Sequence, residues 1–267
     1  MSALRKLTDE NTRQRILSIL KANIAQCLYL GIDLEVYGLD CPDVNFYYSE
    51  SSGGIDLVVM HYYDSVRIYS PGESWDVSAC AELIRPFRPM AVCGKRDMIE
   101  RMQEYFPDYD GEYGIVIADT QYKAFPQFRL VSRATEEDIP EIAELMYSTE
   151  EFRRNNTLDV LERQLRDRMR MGIGRNFIIR ENGVVAAHTA IYAECGDAAV
   201  ESGLVVHEDY KRKFYGLIIH EYIKKLLSEE HKTLYGLRYN EGMQQNARAE
   251  KLDVRAECGK LVPGKEL

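Results

Sequence analysis

The stretch from Asn176 to Arg238 constrains the fold more than any other part of the chain. Three β-rich runs, Asn176–Arg180, Val184–Tyr192 and Ala198–Val206, follow one another with short connections. Asn182-Gly183 between the first two is a tight-turn signal, because both residues tolerate the positive φ that a two-residue hairpin needs. Consecutive hairpin strands are antiparallel. Phe214–Ser228 then carries a strong helical pattern, and Thr233–Arg238 is a further β-rich run. This late β-α-β unit adds a parallel component. The predicted class is α/β, a mixed and mainly antiparallel sheet flanked by helices.

The rest of the chain has the same style. Residues 9–27 read as a helix capped by Thr8 or Asp9. Strands are expected at Asn45–Ser49, Ile55–Tyr63, Val66–Tyr69, Met90–Cys93 and Tyr113–Ala118, with helices at Val77–Ile84 and Lys95–Tyr105. The polar and aromatic stretch Asp119–Phe128, which contains Pro126, is the expected boundary between two halves, 1–128 and 129–267. Beyond it come a strand at Phe128–Ser132 and a capping-box pattern at Thr135 and Asp138 ahead of a helix at Ile139–Tyr147. Helices follow at Leu158–Met169 and Met243–Leu252.

Composition narrows the partners. Of 267 residues, 34 are basic and 43 acidic, a net charge of −9. That balance argues against nucleic acid or an anionic membrane as the main partner, since both need a basic footprint. No apolar run reaches the roughly 18 residues of a membrane span. The first fifteen residues lack the apolar core of a signal peptide. Six scattered cysteines without a CxxC pair read as reduced thiols of a cytoplasmic protein. Five histidines show no HExxH spacing, so no metal is expected. Residues 1–128 hold 12 basic and 19 acidic residues, and 129–267 hold 22 and 24. An anionic ligand is therefore expected in the second half.

The segment Glu201–His220 is where that ligand belongs. A strand ends near Val206, a turn carries Lys211, Arg212 and Lys213, and a helix begins near Phe214–Gly216. A helix N-terminus offers unpaired N–H groups and the positive end of a dipole, and cations beside it strengthen an anion site. A phosphate or pyrophosphate over Lys211–Leu217 is one reading. A solvated basic turn is the other.

Here the sequence resembles the GNAT superfamily of N-acetyltransferases. Their signature is a strand followed by V-x-P-x-Tyr-[Arg/Gln]-Gly-x-Gly-[Ile/Tyr]-[Gly/Ala] and a helix. Val206, Tyr210, Tyr215 and Gly216 stand at matching places. Leu130–Ile139 looks like the opening of such a domain, and Ala249–Val254 like its closing Tyr-Glu-Lys-Leu-Gly-Phe. Residues 1–128 resemble a diverged first half of a tandem GNAT protein, through Leu4–Glu10 and Ala91–Asp97. The departures are specific. Glu208 replaces the proline, Lys211 the Arg/Gln, and Arg212 and Phe214 two loop glycines. Ala249 replaces a tyrosine that in many members protonates the leaving thiolate. Phe214 keeps its N–H available to a ligand if the turn stays right-handed.

What the resemblance implies is an N-acyltransferase. It would move an acetyl or other acyl group from coenzyme A to the amine of a small molecule by direct attack. The pantetheine would lie along Leu204, Val205 and Val206, and the pyrophosphate over Lys211, Arg212, Lys213, Phe214, Tyr215, Gly216 and Leu217. An N–H near Val205 would polarise the acyl oxygen. Glu201 or Glu194 would take the amine's proton, and Tyr239 would replace the missing acid. Asn240 would bond the cofactor or cap the following helix. Two alternatives stand beside this: a degenerate, non-catalytic acyl-CoA-binding or interaction protein, and a transferase fed by an acyl carrier protein.

Overall fold

The computed structural model describes residues 3–119 and 121–264. The chain forms two compact units. One is Met1–Ile117 with Leu237–Leu267, and the other is Ala118–Gly236. This division differs from a simple cut at residue 128, because the last segment of the chain sides with the first unit.

The first unit contains β1 (Arg5–Lys6), α1 (Glu10–Ala22), α2 (Ile24–Tyr37), β2 (Val44–Ser51), β3 (Gly54–Tyr62), β4 (Ser65–Tyr69), α3 (Val77–Ile84), β5 (Ala91–Lys95), α4 (Arg96–Gln103) and β6 (Tyr109–Asp119). The second contains β7 (Val131–Arg133), α5 (Ile139–Tyr147), α6 (Glu150–Asn155), α7 (Leu158–Arg170), β8 (Arg175–Glu181), β9 (Val184–Cys195), β10 (Ala198–Val206), α8 (Tyr215–Glu229) and β11 (Thr233–Arg238). The chain then returns to the first unit as α9 (Glu241–Ala249) and β12 (Asp253–Pro263). Both halves therefore run one programme: strand, helices, three antiparallel strands, helix, parallel strand, helix, strand. No helix among the described residues is long and apolar enough to cross a membrane.

In the first unit the strand order is β1-β2-β3-β4-β5-β12-β6. Strand β12 pairs antiparallel with β5, matching Gly259 to Gly94 and Leu261 to Val92. Leu261 is wholly buried in one cluster with Val66, Val92, Met98, Ile99 and Met102. The helix expected over 9–27 is instead two helices. Asp9 caps α1 by accepting from the Thr12 N–H at 2.8 Å. Asn23 ends it, its side chain donating to the Ile19 carbonyl at 2.9 Å. Helix α2, kinked at Cys27, continues to Tyr37. Sequence periodicity misses its second half because Leu28, Leu30, Ile32, Asp33, Leu34 and Tyr37 are all buried, so no polar face marks a helical period.

In the second unit the order is β11-β10-β9-β8-β7. Helix α8 packs Ile218, Ile219, Ile223 and Leu227 against Phe177, Ile179, Ala187, Ile191 and Ala199. Thr135 and Asp138 form the anticipated capping box, and one 3-10 turn separates it from α5. The strand expected at Phe128–Ser132 is displaced. Pro126 opens a 3-10 turn through Leu130, and β7 starts only at Val131.

Strand β10 is more irregular than its neighbours, since the β8–β9 pairing shifts register once, between Ile179 and Arg180. It pairs parallel with β11 at Ala198–Thr233, Ala199–Leu234 and Val200–Tyr235, and the register ends there. Against β9 its register shifts twice, after Val200 and after Ser202. Gly203 sits in the shifted segment with φ +75°, a conformation that glycine adopts without steric cost. His188 on β9 pins this bulge. Its Nδ1 lies 2.8 Å from the Gly203 carbonyl oxygen and its Nε2 3.0 Å from Asn176 Oδ1. Burial pushes the imidazole down to about 4, against a smaller opposing effect of the Gly203 bond.

Two outcomes follow. Leu261→Ala removes a fully buried side chain of β12 and destabilises the protein by about 2–5 kcal/mol in denaturant unfolding. The unfolded chain protonates His188 near 6.5 and the folded one near 4. The unfolded state therefore binds the extra proton in between. His188 contributes stability above pH 6.5 that disappears as pH falls toward 4, roughly 3 kcal/mol in all. Unfolding free energies measured over that range should lose this component in His188→Gln.

Candidate functional site

The basic turn predicted after β10 is a 3-10 helix, Glu208–Lys213, leading through Phe214 into α8. Phe214 has φ +57° and ψ 20°, so the right-handed turn on which its N–H availability depended does not form. A left-handed non-glycine residue costs roughly 1–2 kcal/mol. The reason lies in the junction: one left-handed residue ends the 3-10 turn and redirects the chain into α8. The ring points outward, with the residue 72% exposed. Gly216 permits the first turn of α8 to rest on the end of β10, since a Cβ there would lie 3.1 Å from Val206 Cγ2.

Among the described residues no side chain caps α8. Its first N–H groups are therefore open to an anion from outside the chain. Two of the three cations are engaged at the surface, Lys211 with Glu208 at 2.5 Å and Lys213 with Glu181. The Tyr215 hydroxyl also donates to Glu181. Arg212 is exposed and makes no ion pair among the described residues. The corresponding helix of the first unit contrasts sharply. There Asp76 caps α3, accepting from the Ala79 N–H at 3.0 Å, so a fixed carboxylate occupies the anion position.

Strand β10 leads into this turn. Val205 and Val206 stay paired with His188 and Ala187 of β9, while pairing with β11 has already ended at Val200. Leu204 is exposed and Val205 buried. The backbone of Glu201–Val206 thus has one edge without a strand partner from β11. It can receive an extended ligand carrying amide groups, as an edge strand receives another strand.

Glu201 sits at the point where the two strands part. Its side chain is 3% exposed. It accepts from Thr189 Oγ1 at 3.0 Å and lies 2.8 Å from His220 Nδ1. His220 belongs to α8, so the parted strand, the open helix end and this carboxylate–imidazole pair all belong to the second unit. Spacing along the sequence gives no sign of the Thr189–Glu201–His220 cluster, since its members come from β9, β10 and α8. Glu194 is placed differently. Its oxygens are held by Arg175 at 2.8 and 3.0 Å and by Lys232, within an ion cluster that includes Glu230.

The last two expected site residues belong to the first unit. Tyr239 lies with Lys260 Nζ 4.6 Å from its ring centroid. Burial, together with the Cys258 and Cys93 thiols, raises its hydroxyl well above 10. Asn240 caps α9, its Oδ1 accepting from the Met243 N–H at 3.2 Å. That engages the side chain in the second of its two expected roles.

No protein-family model matches the chain, and comparison with curated proteins finds no match. Solved structures do match it. A Drosophila protein superposes with a TM-score of 0.65 at 14% identity, over 99% of this chain and 100% of that one. A tandem GNAT protein from the clavulanic acid biosynthesis pathway gives 0.58 at 13% identity, over the whole of both chains. A GCN5-related N-acetyltransferase from Sphaerobacter thermophilus also gives 0.58 at 13%, over 99% and 97%. With its mixed, mainly antiparallel sheet, its duplicated order of elements and these full-length superpositions, the chain has the tandem GNAT fold.

Proposed function

We propose that the chain is an N-acyltransferase that moves an acetyl or other acyl group from coenzyme A to the amine of a small molecule. One observation carries the reading: β10 parts from β11 at Val200 and leads directly into an uncapped helix N-terminus beside Lys211, Arg212 and Lys213. The parted edge at Leu204–Val206 suits the pantetheine amides. The first turn of α8, Tyr215–Leu217, suits the pyrophosphate, with Arg212 as its counter-charge.

The chemistry needs few groups. The amine attacks the thioester carbonyl, the oxyanion is stabilised by a β10 N–H near Val205, and the thiolate leaves. A thiolate is a competent leaving group near neutral pH, because its conjugate acid has a pKa of about 8.5, so transfer does not require a strong acid. The proton on the amine does require an acceptor. Glu201 is the better of the two carboxylates for that role, since Glu194 is bound to two permanent cations, Arg175 and Lys232, whereas Glu201 contacts an imidazole and a hydroxyl. His220 and Thr189 hold the Glu201 carboxylate in place.

Calorimetric titration with acetyl-CoA and CoA tests the binding part. Micromolar affinity is expected for the wild type, with at least a tenfold loss in the Lys211→Ala/Arg212→Ala/Lys213→Ala variant. No binding of either ligand to the wild type would sink the proposal. Thiol release over an amine panel tests the chemistry. Glu201→Gln should lower kcat by about 10²–10⁴-fold while leaving CoA affinity unchanged.

A further inference from the structure

The first unit holds a pocket whose lining includes neither Glu201 nor His220 nor the basic turn. It measures about 50 Å3 and lies between the kinked start of α2 and strands β4, β5 and β12. Ala25, Cys27, Arg67, Cys93, Tyr239 and Cys258 are among its walls. Among the described residues Arg67 is the one cation lining it. The guanidinium donates a single hydrogen bond among the described residues, from Nη1 to Ser65 Oγ at 3.1 Å. The Tyr29 and Tyr62 rings lie 4.6 and 5.4 Å from its central carbon. Aromatic rings satisfy the flat faces of a guanidinium and leave its in-plane N–H groups to find acceptors. Asp33 attracts the charge through space.

Two cysteines of the wall are uncharged. Burial pushes the Cys27 thiol up to about 12 and that of Cys258 up to about 11, so both stay protonated and behave as small apolar groups. A guanidinium at the wall of so small a chamber suits a planar anion with two oxygens. Water needs roughly 10–15 Å3 of such space, so the pocket holds about three to five non-hydrogen atoms. Gln26 lines both this pocket and a wider cleft of about 450 Å3, bordered by Lys95 and Arg96 and by Asp97, Glu100 and Glu257.

We propose that this pocket binds a small carboxylate of two or three carbons, its oxygens on Arg67 and its alkyl part against Cys27, Cys93 and Cys258. The site is independent of acyl transfer.

Propionate and its neutral isostere propionamide, titrated into the full chain and followed by protein NMR shifts, test this. Saturable propionate binding is expected, with propionamide at least tenfold weaker. Arg67→Gln should lose propionate by at least tenfold. Ala25→Met, which fills the pocket and leaves the guanidinium intact, should lose it as well. If Arg67→Gln fails to fold, Arg67→Lys keeps the charge without the fork and should still weaken binding. Propionate that does not bind the wild type, propionamide that binds equally well, or binding undiminished by Ala25→Met would each overturn the proposal. The Lys211→Ala/Arg212→Ala/Lys213→Ala variant should bind propionate as the wild type does, which separates this site from the coenzyme A reading.

Discussion

A single histidine-to-carbonyl hydrogen bond holds the irregularity on which the second unit turns. Strand β10 cannot pair with both neighbours along its whole length, because its register against β9 shifts twice around Gly203. A β-bulge adds length and twist to one strand, and the strand bends. His188 fixes where this happens by donating from Nδ1 to the Gly203 carbonyl of the neighbouring strand, and the Asn176 side chain lies beside Nε2. The bend lies just past the end of pairing with β11. A parted pair of parallel strands, normally a defect in a sheet, is thereby made permanent and reproducible. The imidazole stays neutral in its buried place, so the pin costs no buried charge.

The two halves show how one topology is used in two ways. Both have a helix crossing between two parallel strands, β4–α3–β5 and β10–α8–β11, and both parallel pairs are three residues long. What differs is the helix entrance. In the first half Asp76 supplies its own oxygen to the N-terminus of α3. In the second no side chain among the described residues does so, and three cations stand in the preceding turn. A carboxylate cap and a bound anion compete for the same N–H groups. One entrance is thus closed from within and one is available, a difference of a few residues in loops of otherwise matching design.

Much of this was legible in the sequence, and the losses have physical causes. Strands β8, β9, β10 and β11 and helix α8 were found because each carries a clean period or a turn signal such as Asn182-Gly183. The basic turn was found because charge density marks it. Strand β12 was missed: its first residues, Asp253-Val254-Arg255, are exposed, and its buried part, Cys258–Val262, carries Gly259 and Lys260. Its place between β5 and β6 depends on partners more than a hundred residues away. The Glu201–His220–Thr189 contact was missed for the same reason, since only the finished sheet and helix bring the three together. Arg67 gave no signal at all. Its meaning lies in two tyrosines and three cysteines that converge from α2, β3, β5 and β12.

The placement of β12 also orders events in time. During synthesis, β1 to β6 and their helices emerge first, yet the slot between β5 and β6 waits for a strand encoded at residues 253–263. Until that strand leaves the ribosome, two strand edges and the apolar surface that receives Leu261 and Val262 stay uncovered. The half that is translated first is therefore the half that is completed last. A nascent chain paused before residue 253 would present this slot to chaperones, or to the β12 segment of another copy.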